Sequence, residues 1–537
     1  MSHRRLEFCA SVILAGLGGA AWTAPPSDPS PVSIAPASML RIGTVDERFQ
    51  SFNVEMVEVT GGRFWKPYGQ VDAILNAQPS ARQPSSNQPV GMDPALFQYR
   101  PPIDLTNPRL RKLAAALGPA YVRVSGTWAN TTYFHDLDSA APKTPPEGFH
   151  GVLTRQQWKG VVDFSRAVDA KIVTSFATSA GTRDAAGVWT PKQARPFLAY
   201  TKAVGGSIAA AEFMNEPTAA AMGGAPKGYD AAAYGRDLAV FRPFAKATAP
   251  EMVILGPGSV GEGSALMGAG PGAAMAYLKS EDLLTAAGQV FDAFSYHFYG
   301  AVSNRCRSMV PESTTTAEAA LSEEWLSRAD KVEAFYGDLR DRFEPGKPLW
   351  ITETADAACG GNPWGSTFLD SFRYLDQLGR LARHGVRVVA HNTLASSDYG
   401  LLDENTLTPR PNYWAALLWR RLMGATVLDP GSSPAAGLHL YAHCLRGVPG
   451  GVALLVINTD RAEPQSVELA AASDRYTLTA RDLSDRLVQM NGSELKPGAG
   501  DVMPQLAGAP TPAGHLTFAP ASITFLAIPK ANNGSCR

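Results

Sequence analysis

Ile208-Ala-Ala-Ala-Glu-Phe-Met-Asn-Glu-Pro217 is an apolar run of strand length that gives way to an Asn-Glu pair and a proline. A stretch with helical spacing, Tyr229 to Ala247, follows it. Outward from there the same unit recurs along the chain. Short apolar or β-branched runs that end at a Gly, Asn, Ser or acidic residue occupy Phe52 to Val59, Tyr121 to Ser125, Lys171 to Ala177, Met252 to Gly256, Phe291 to Phe298, Pro348 to Thr352 and Val386 to Leu394. Helical periodicity separates them, as in Pro108 to Leu117, Gln156 to Asp169, Pro191 to Val204 and Ser366 to Ala382. Eight such units predict an α/β fold, a (β/α)8 TIM barrel with long loops. The competing open doubly wound sheet lacks support, because no Gly-x-Gly-x-x-Gly turn follows any of the runs.

After Leu422 helical periodicity stops. Val452 to Asn458, Gln465 to Leu469, Tyr476 to Ala480 and Ser522 to Ala527 alternate with turn residues, which predicts an accessory antiparallel β-sandwich. The expected organisation is a signal peptide over 1–24, an N-terminal segment over 25–48, a catalytic barrel over 49–422 and a β-sandwich domain over 423–537. Gly61 to Pro102 and Ala140 to His150 read as long irregular insertions placed to act as lids over the barrel mouth.

The 537 residues, 45% of them hydrophobic, are too apolar for a disordered chain and too many for one small domain. Lys and Arg number 48 against 49 Asp and Glu, so no basic field draws in a nucleic acid. Arg4 and Arg5, the apolar stretch Phe8 to Ala21 and the Pro/Ser-rich segment after Pro25 have the order of an export signal, with periplasmic or secreted location expected and no membrane span in the mature form. In an oxidising compartment Cys306, Cys359, Cys444 and Cys536 read first as disulfides. They lack the spacing of a zinc site, and no metal or organic cofactor is expected.

Reacting groups of barrel enzymes gather where the strands end. Glu216 is expected at the end of the fourth strand and Glu353, in Leu349-Trp-Ile-Thr-Glu-Thr354, at the end of the seventh. Two carboxylates so placed suit glycosidic bond cleavage, which needs a proton donor and a nucleophile or base around an oxocarbenium-like transition state. The alternative makes each an ordinary helix cap or loop charge.

Asn215-Glu216-Pro217, Glu353-Thr354 with Gly360-Gly361 beyond, and Asp398-Tyr-Gly-Leu-Leu-Asp-Glu-Asn405 leading to Pro411-Asn-Tyr-Trp414 resemble glycoside hydrolase family 79, the heparanases and β-glucuronidases of the clan A retaining hydrolases. Leu110 to Leu113, Tyr121 to Val124 and His297-Phe-Tyr299 extend the likeness. The resemblance implies Glu216 as acid/base, Glu353 as nucleophile and Asn215 on the sugar 2-hydroxyl. It further implies that His297 and Tyr299 orient the nucleophile or line the subsite, and that Gly360, Gly361 and Tyr399 hold a glucuronate carboxylate. Glu55 is implied at the non-reducing side, with Glu58 as the alternative if the strand register is one off, and Thr127 after the second strand. It also implies a Cys444–Cys536 bridge, which leaves Cys306 to pair with Cys359, and a sandwich that takes in the segment before Phe49. Vertebrate heparanases differ in having one residue fewer before the Gly turn and a Tyr about where Cys359 stands.

The expectation is therefore a monomeric, exported β-glucuronidase acting on a glucuronic-acid-containing saccharide as one intact chain. An endo-acting heparanase-like hydrolase is the rival enzyme, and a non-catalytic carbohydrate-binding or adhesion protein is the rival of another class.

Overall fold

The computed structural model describes residues 32–75, 89, 92–263, 277–307, 313–431 and 436–537, so the signal expected over 1–24 lies outside the described residues. Eight parallel strands close into a barrel: Gln50–Glu55, Ala120–Ser125, Ala170–Ser175, Ile208–Glu212, Val253–Ser259, Ala293–Val302, Leu349–Ala358 and Val388–His391, the last pairing with the first. Each lies where a run was expected.

Strand alternation turns every second residue inward. Toward the strand beginnings the interior is an apolar layer of Tyr121, Val173, Ala210, Leu255, Ala293, Trp350 and Val388, with the Tyr121 and Trp350 rings 4.9 Å apart. Two residues further along four of these strands stand Arg123, Glu212, Ser295 and Thr352, all buried. The barrel therefore changes from an oily floor to a charged layer within one step of the pleat.

Three expected placements need correction. The fourth strand stops at Glu212, so Glu216 sits four residues past it, and Pro217 does not end a strand but opens the short 3-10 turn Pro217–Ala219. Glu353 lies inside the seventh strand, and His297 and Tyr299 inside the sixth. Those two strands run on because they keep pairing with each other, from His297 with Glu353 to Val302 with Ala358. The insertion from Gly61 to Pro102 is not wholly irregular. It contains the antiparallel pair Gly62–Trp65 and Phe97–Arg100 and the helix Tyr68–Leu75, elements too short to leave a periodic signature in sequence; residues 76–88 and 90–91 lie outside the described ones.

Beyond two two-stranded pairs and two isolated bridges, a nine-stranded sheet and a three-stranded sheet make up the rest of the described β-structure. Val32–Ile34 pairs in parallel with Gln465–Leu469, and Arg41–Thr44 pairs antiparallel with Met423–Leu428, so residues before Phe49 contribute a strand to each sheet. Val452–Asn458 is apolar along its length because both its faces are covered. Val452, Leu454 and Val456 pack against the small sheet's Val467, Leu469, Leu516 and Phe518. Ala453, Leu455 and Ile457 belong instead to the core shared with the barrel helices. That junction is tight: a Cβ on Gly379, in the helix Phe368–Arg383, would stand 2.3 Å from the Tyr441 ring. Disulfides join Cys306 to Cys359, on the loops after the sixth and seventh strands, and Cys444 to Cys536 in the sandwich. No helix among the described residues is long and apolar enough to cross a membrane.

Candidate active site

The charged layer supports a second tier of carboxylates above it. Arg123 is the hub: Nη1 donates to Oε2 of Glu353 (2.7 Å), and Nη2 donates to Oε2 of Glu212 (2.9 Å) and Oδ1 of Asn215 (2.8 Å). Glu212 also accepts from Ser295 (2.8 Å) and Thr352 (2.6 Å). Buried charge survives only when paired and hydrogen-bonded, and these partners meet that condition. Burial alone would raise the Glu212 carboxyl, but Arg123, with His297 and Thr352 added, holds it far below the usual carboxylate range.

Glu353 receives a second donor, the Tyr299 hydroxyl, at 2.6 Å on Oε1. Glu216 is reached from the other side by Nδ1 of His297 at 3.0 Å. One oxygen of each of these carboxylates and a ring nitrogen of His297 lie within 4.8 Å of one another. Glu216 adopts the left-handed conformation (φ 48°, ψ 63°), which ordinary residues seldom take, and the backbone of Asn215 beside it is clamped by Asn130, whose amide donates to Asn215 O (2.9 Å) and accepts from Asn215 N (2.8 Å).

The environment splits the roles of the acids. Burial is the main force that raises the Glu216 carboxyl, and the charge on Glu353 adds to it against the hydrogen bond from His297. His297 is buried too, which disfavours its charged form, yet Glu353 and its bonds to Glu212 and Glu216 lift it to about 9. Nε2 of His297 stands 3.2 Å from Nη2 of Arg123 and 3.8 Å from Oε1 of Glu212. By type and spacing Glu216, His297 and Glu353 suit a cation. The guanidinium on Glu353 and the raised imidazole, however, set two positive groups against one.

Tyr299, Asn392 and Tyr399 form a row leading away from Glu353, the Asn392 amide donating to both hydroxyls at 3.1 Å. At its far end the Tyr399 ring packs on Gly361. Gly360 and Gly361 have φ of 82° and 84°, a conformation that favours glycine, and a Cβ on Gly360 would stand 2.7 Å from the Trp65 ring. Glu55 sits beside Gly126, and its carboxyl is raised well above the usual range by burial first and by Glu353 next. Glu58 bonds to the Glu55 N–H (2.6 Å) and to Ser396 (2.5 Å), and burial carries it to about 7. Thr127 opens the turn Thr127–Thr131 and makes no hydrogen bond to the cluster among the described residues; Asn130, three residues on, ties that turn to the site. Sequence reasoning missed Arg123, Glu212, Asn130 and Asn392 as site residues. Arg123 and Glu212 carried a signal, a charge inside an apolar strand; Asn130 and Asn392 lie in loops without one.

Residues 102–379 match the family model described as glycosyl hydrolase family 79, N-terminal domain. Heparanase-like protein 1 of Arabidopsis thaliana is 27% identical over 81% of this chain and 86% of its own length. The hyaluronoglucuronidase of Hirudo nipponia is 26% identical over 81% and 92%. Among solved structures, a 4-O-α-L-rhamnosyl-β-D-glucuronidase from Fusarium oxysporum 12S superposes with a TM-score of 0.59 at 14% identity, over 93% of this chain and all of that one, a likeness of fold. The matched span holds more than half of the chain and carries Arg123, Glu212, Glu216, His297 and Glu353 together; the chain belongs to glycosyl hydrolase family 79.

Proposed function

We propose that this chain is a retaining β-glucuronidase that removes terminal glucuronic acid from glycosides or glycosaminoglycan-type oligosaccharides. The carrying observation is the close approach of Glu216 and Glu353, within 4.8 Å, because retaining enzymes hold their two carboxyl groups at roughly 5–5.5 Å, whereas inverting ones leave room for a water. Glu353, held by Arg123 and Tyr299, attacks the anomeric carbon and forms a glycosyl ester. Glu216, whose carboxyl burial raises, acts as the acid and gives its proton to the departing oxygen. Water then attacks the ester as Glu216 takes a proton back, and Glu353 leaves as carboxylate.

Asn215 already spends Oδ1 on Arg123, which leaves its Nδ2 to donate to the 2-hydroxyl. The row from Tyr299 to Tyr399 runs along the sugar, and the N–H groups of Gly360 and Gly361 with the Tyr399 hydroxyl receive the C5 carboxylate. Glu55, whose carboxyl burial raises, lies at the non-reducing side. Similarity to a hyaluronoglucuronidase supports glucuronide chemistry, and two disulfides fit the oxidising compartment of an exported protein.

The test is turnover of an aryl β-D-glucuronide with product NMR, alongside sizing of heparan sulfate products. Retention, and free glucuronate from polymer of unchanged length, supports the reading. Inversion overturns the assigned roles, a rapid fall in polymer size points to the endo-acting alternative, and no turnover of any aryl glycoside leaves a binding protein.

A further inference from the structure

Two glycine peptides without a facing cation are a weak attractant for a carboxylate, yet the back of this turn is loaded with donors. Nη1 of Arg305 donates to the carbonyls of Cys359 (3.3 Å), Gly360 (3.0 Å) and Gly361 (3.1 Å). Ser303 adds a bond to Cys359 O (2.9 Å), Ser397 to Gly360 O (3.0 Å) and Tyr68 to Gly361 O (2.8 Å). The Arg305 side chain is completely buried. Nη2 donates to Lys66 O (2.6 Å) and to the Asp398 carboxylate, and the guanidinium lies 4.1 Å over the Tyr68 ring.

In a trans peptide the N–H points opposite to the C=O. With the three carbonyls turned to Arg305, the N–H groups of Gly360, Gly361 and Asn362 face away from it. That of Asn362 already donates to a carboxylate oxygen of Asp356 at 2.8 Å. Those of Gly360 and Gly361 meet no acceptor among the described residues although both glycines are buried, and the ring of Tyr399 flanks them.

We infer that Arg305 sets the preference for a uronic acid over a neutral hexose without touching the sugar. It is a positioning residue: its charge, delivered through aligned peptide dipoles, polarises the two free N–H groups and fixes their direction. Asp398 neutralises the guanidinium at the back, so the site presents directed donors rather than a bare cation. The inference rests on the glucuronidase reading and deepens it.

The experiment compares kcat and KM for an aryl β-D-glucuronide and the matching aryl β-D-glucoside in the full chain. Arg305→Met combined with Asp398→Asn removes both buried charges together, Arg305→Lys keeps the charge but not the fork, and Tyr68→Phe removes one carbonyl donor without altering charge. The expected result is a fall of about tenfold or more in the glucuronide-to-glucoside ratio of kcat/KM for the double variant, the size of one charge-assisted hydrogen bond, expressed in KM rather than kcat. Arg305→Lys should recover part of the ratio, and Tyr68→Phe should lower it less. A wild-type chain that turns over glycosides without preferring the glucuronide sinks the underlying reading. A wild-type preference that persists in the double variant and in Tyr68→Phe sinks the role of Arg305 alone. If the double variant does not fold, Tyr68→Phe and Arg305→Lys decide by the same ratio.

Discussion

Val452–Asn458 in the sandwich and Ala120–Ser125 in the barrel are both buried strands, yet one presents leucine, valine and isoleucine to its neighbours and the other presents Arg123. In the sandwich, burial of apolar area is the whole purpose of the strand. In the barrel the same geometry holds an arginine against two glutamates, an arrangement that well-packed apolar residues would replace at little loss of stability. The contrast teaches where each kind of damage should register: the sandwich in stability, the charged tier in rate.

The sharpest way to break that division is Glu353→Gln. The amide cannot form the glycosyl ester, so kcat on an aryl glucuronide should fall by about 10⁴-fold or more with no trapped intermediate in intact-mass spectra, while thermal unfolding stays near wild type. A variant that unfolds instead would show that the tier is structural. Glu216→Gln should cost about 10²–10⁴-fold on substrates with poor leaving groups and far less on activated aryl leaving groups, which depart without a proton. Equal losses on both would remove the acid role. In the opposite direction, Leu454→Ala in the sandwich core should cost about 2–5 kcal/mol in denaturant unfolding with kcat retained. Loss of kcat in the still-folded variant would mean that the two regions are coupled.

The smallest effect is on pH. A raised Glu216 carboxyl carries its proton below its pKa and loses it above, so it sets the alkaline limb of kcat/KM. The hydrogen bond and charge of His297 both act to lower that pKa, so His297→Gln should move the limb to higher pH. A pH profile with the limb unmoved or shifted down would detach His297 from Glu216.

Legibility followed chain distance. The apolar runs and the turn residues that close them are local, so the eight strands stood where they were read. Glu353 and Glu216 stood out because an acid after an apolar strand is locally conspicuous. Strand ends were less legible: the extension of the sixth and seventh strands depends on their pairing with each other, which neither sequence run announces alone. Asn392 and Asn130 look like loop asparagines until the fold brings them to Tyr299 and Asn215, 93 and 85 positions away in sequence. Arg305 was invisible for the same reason, since its partners at Lys66, Gly360 and Asp398 come from three separate loops.

Val32–Ile34 and Arg41–Thr44 enter the sandwich before the chain departs to build the barrel and returns at Met423. In connectivity, the barrel is an insertion within the sandwich. A fragment cut at Met423 would leave the hydrogen-bonding flanks of Met423–Leu428 and Gln465–Leu469 bare, two open edges of the kind that recruit other chains. Expressing the carboxyl-terminal piece alone should therefore give a sticky product, and a soluble version needs residues from Val32 to Thr44 supplied with it, by fusion or as a separate peptide.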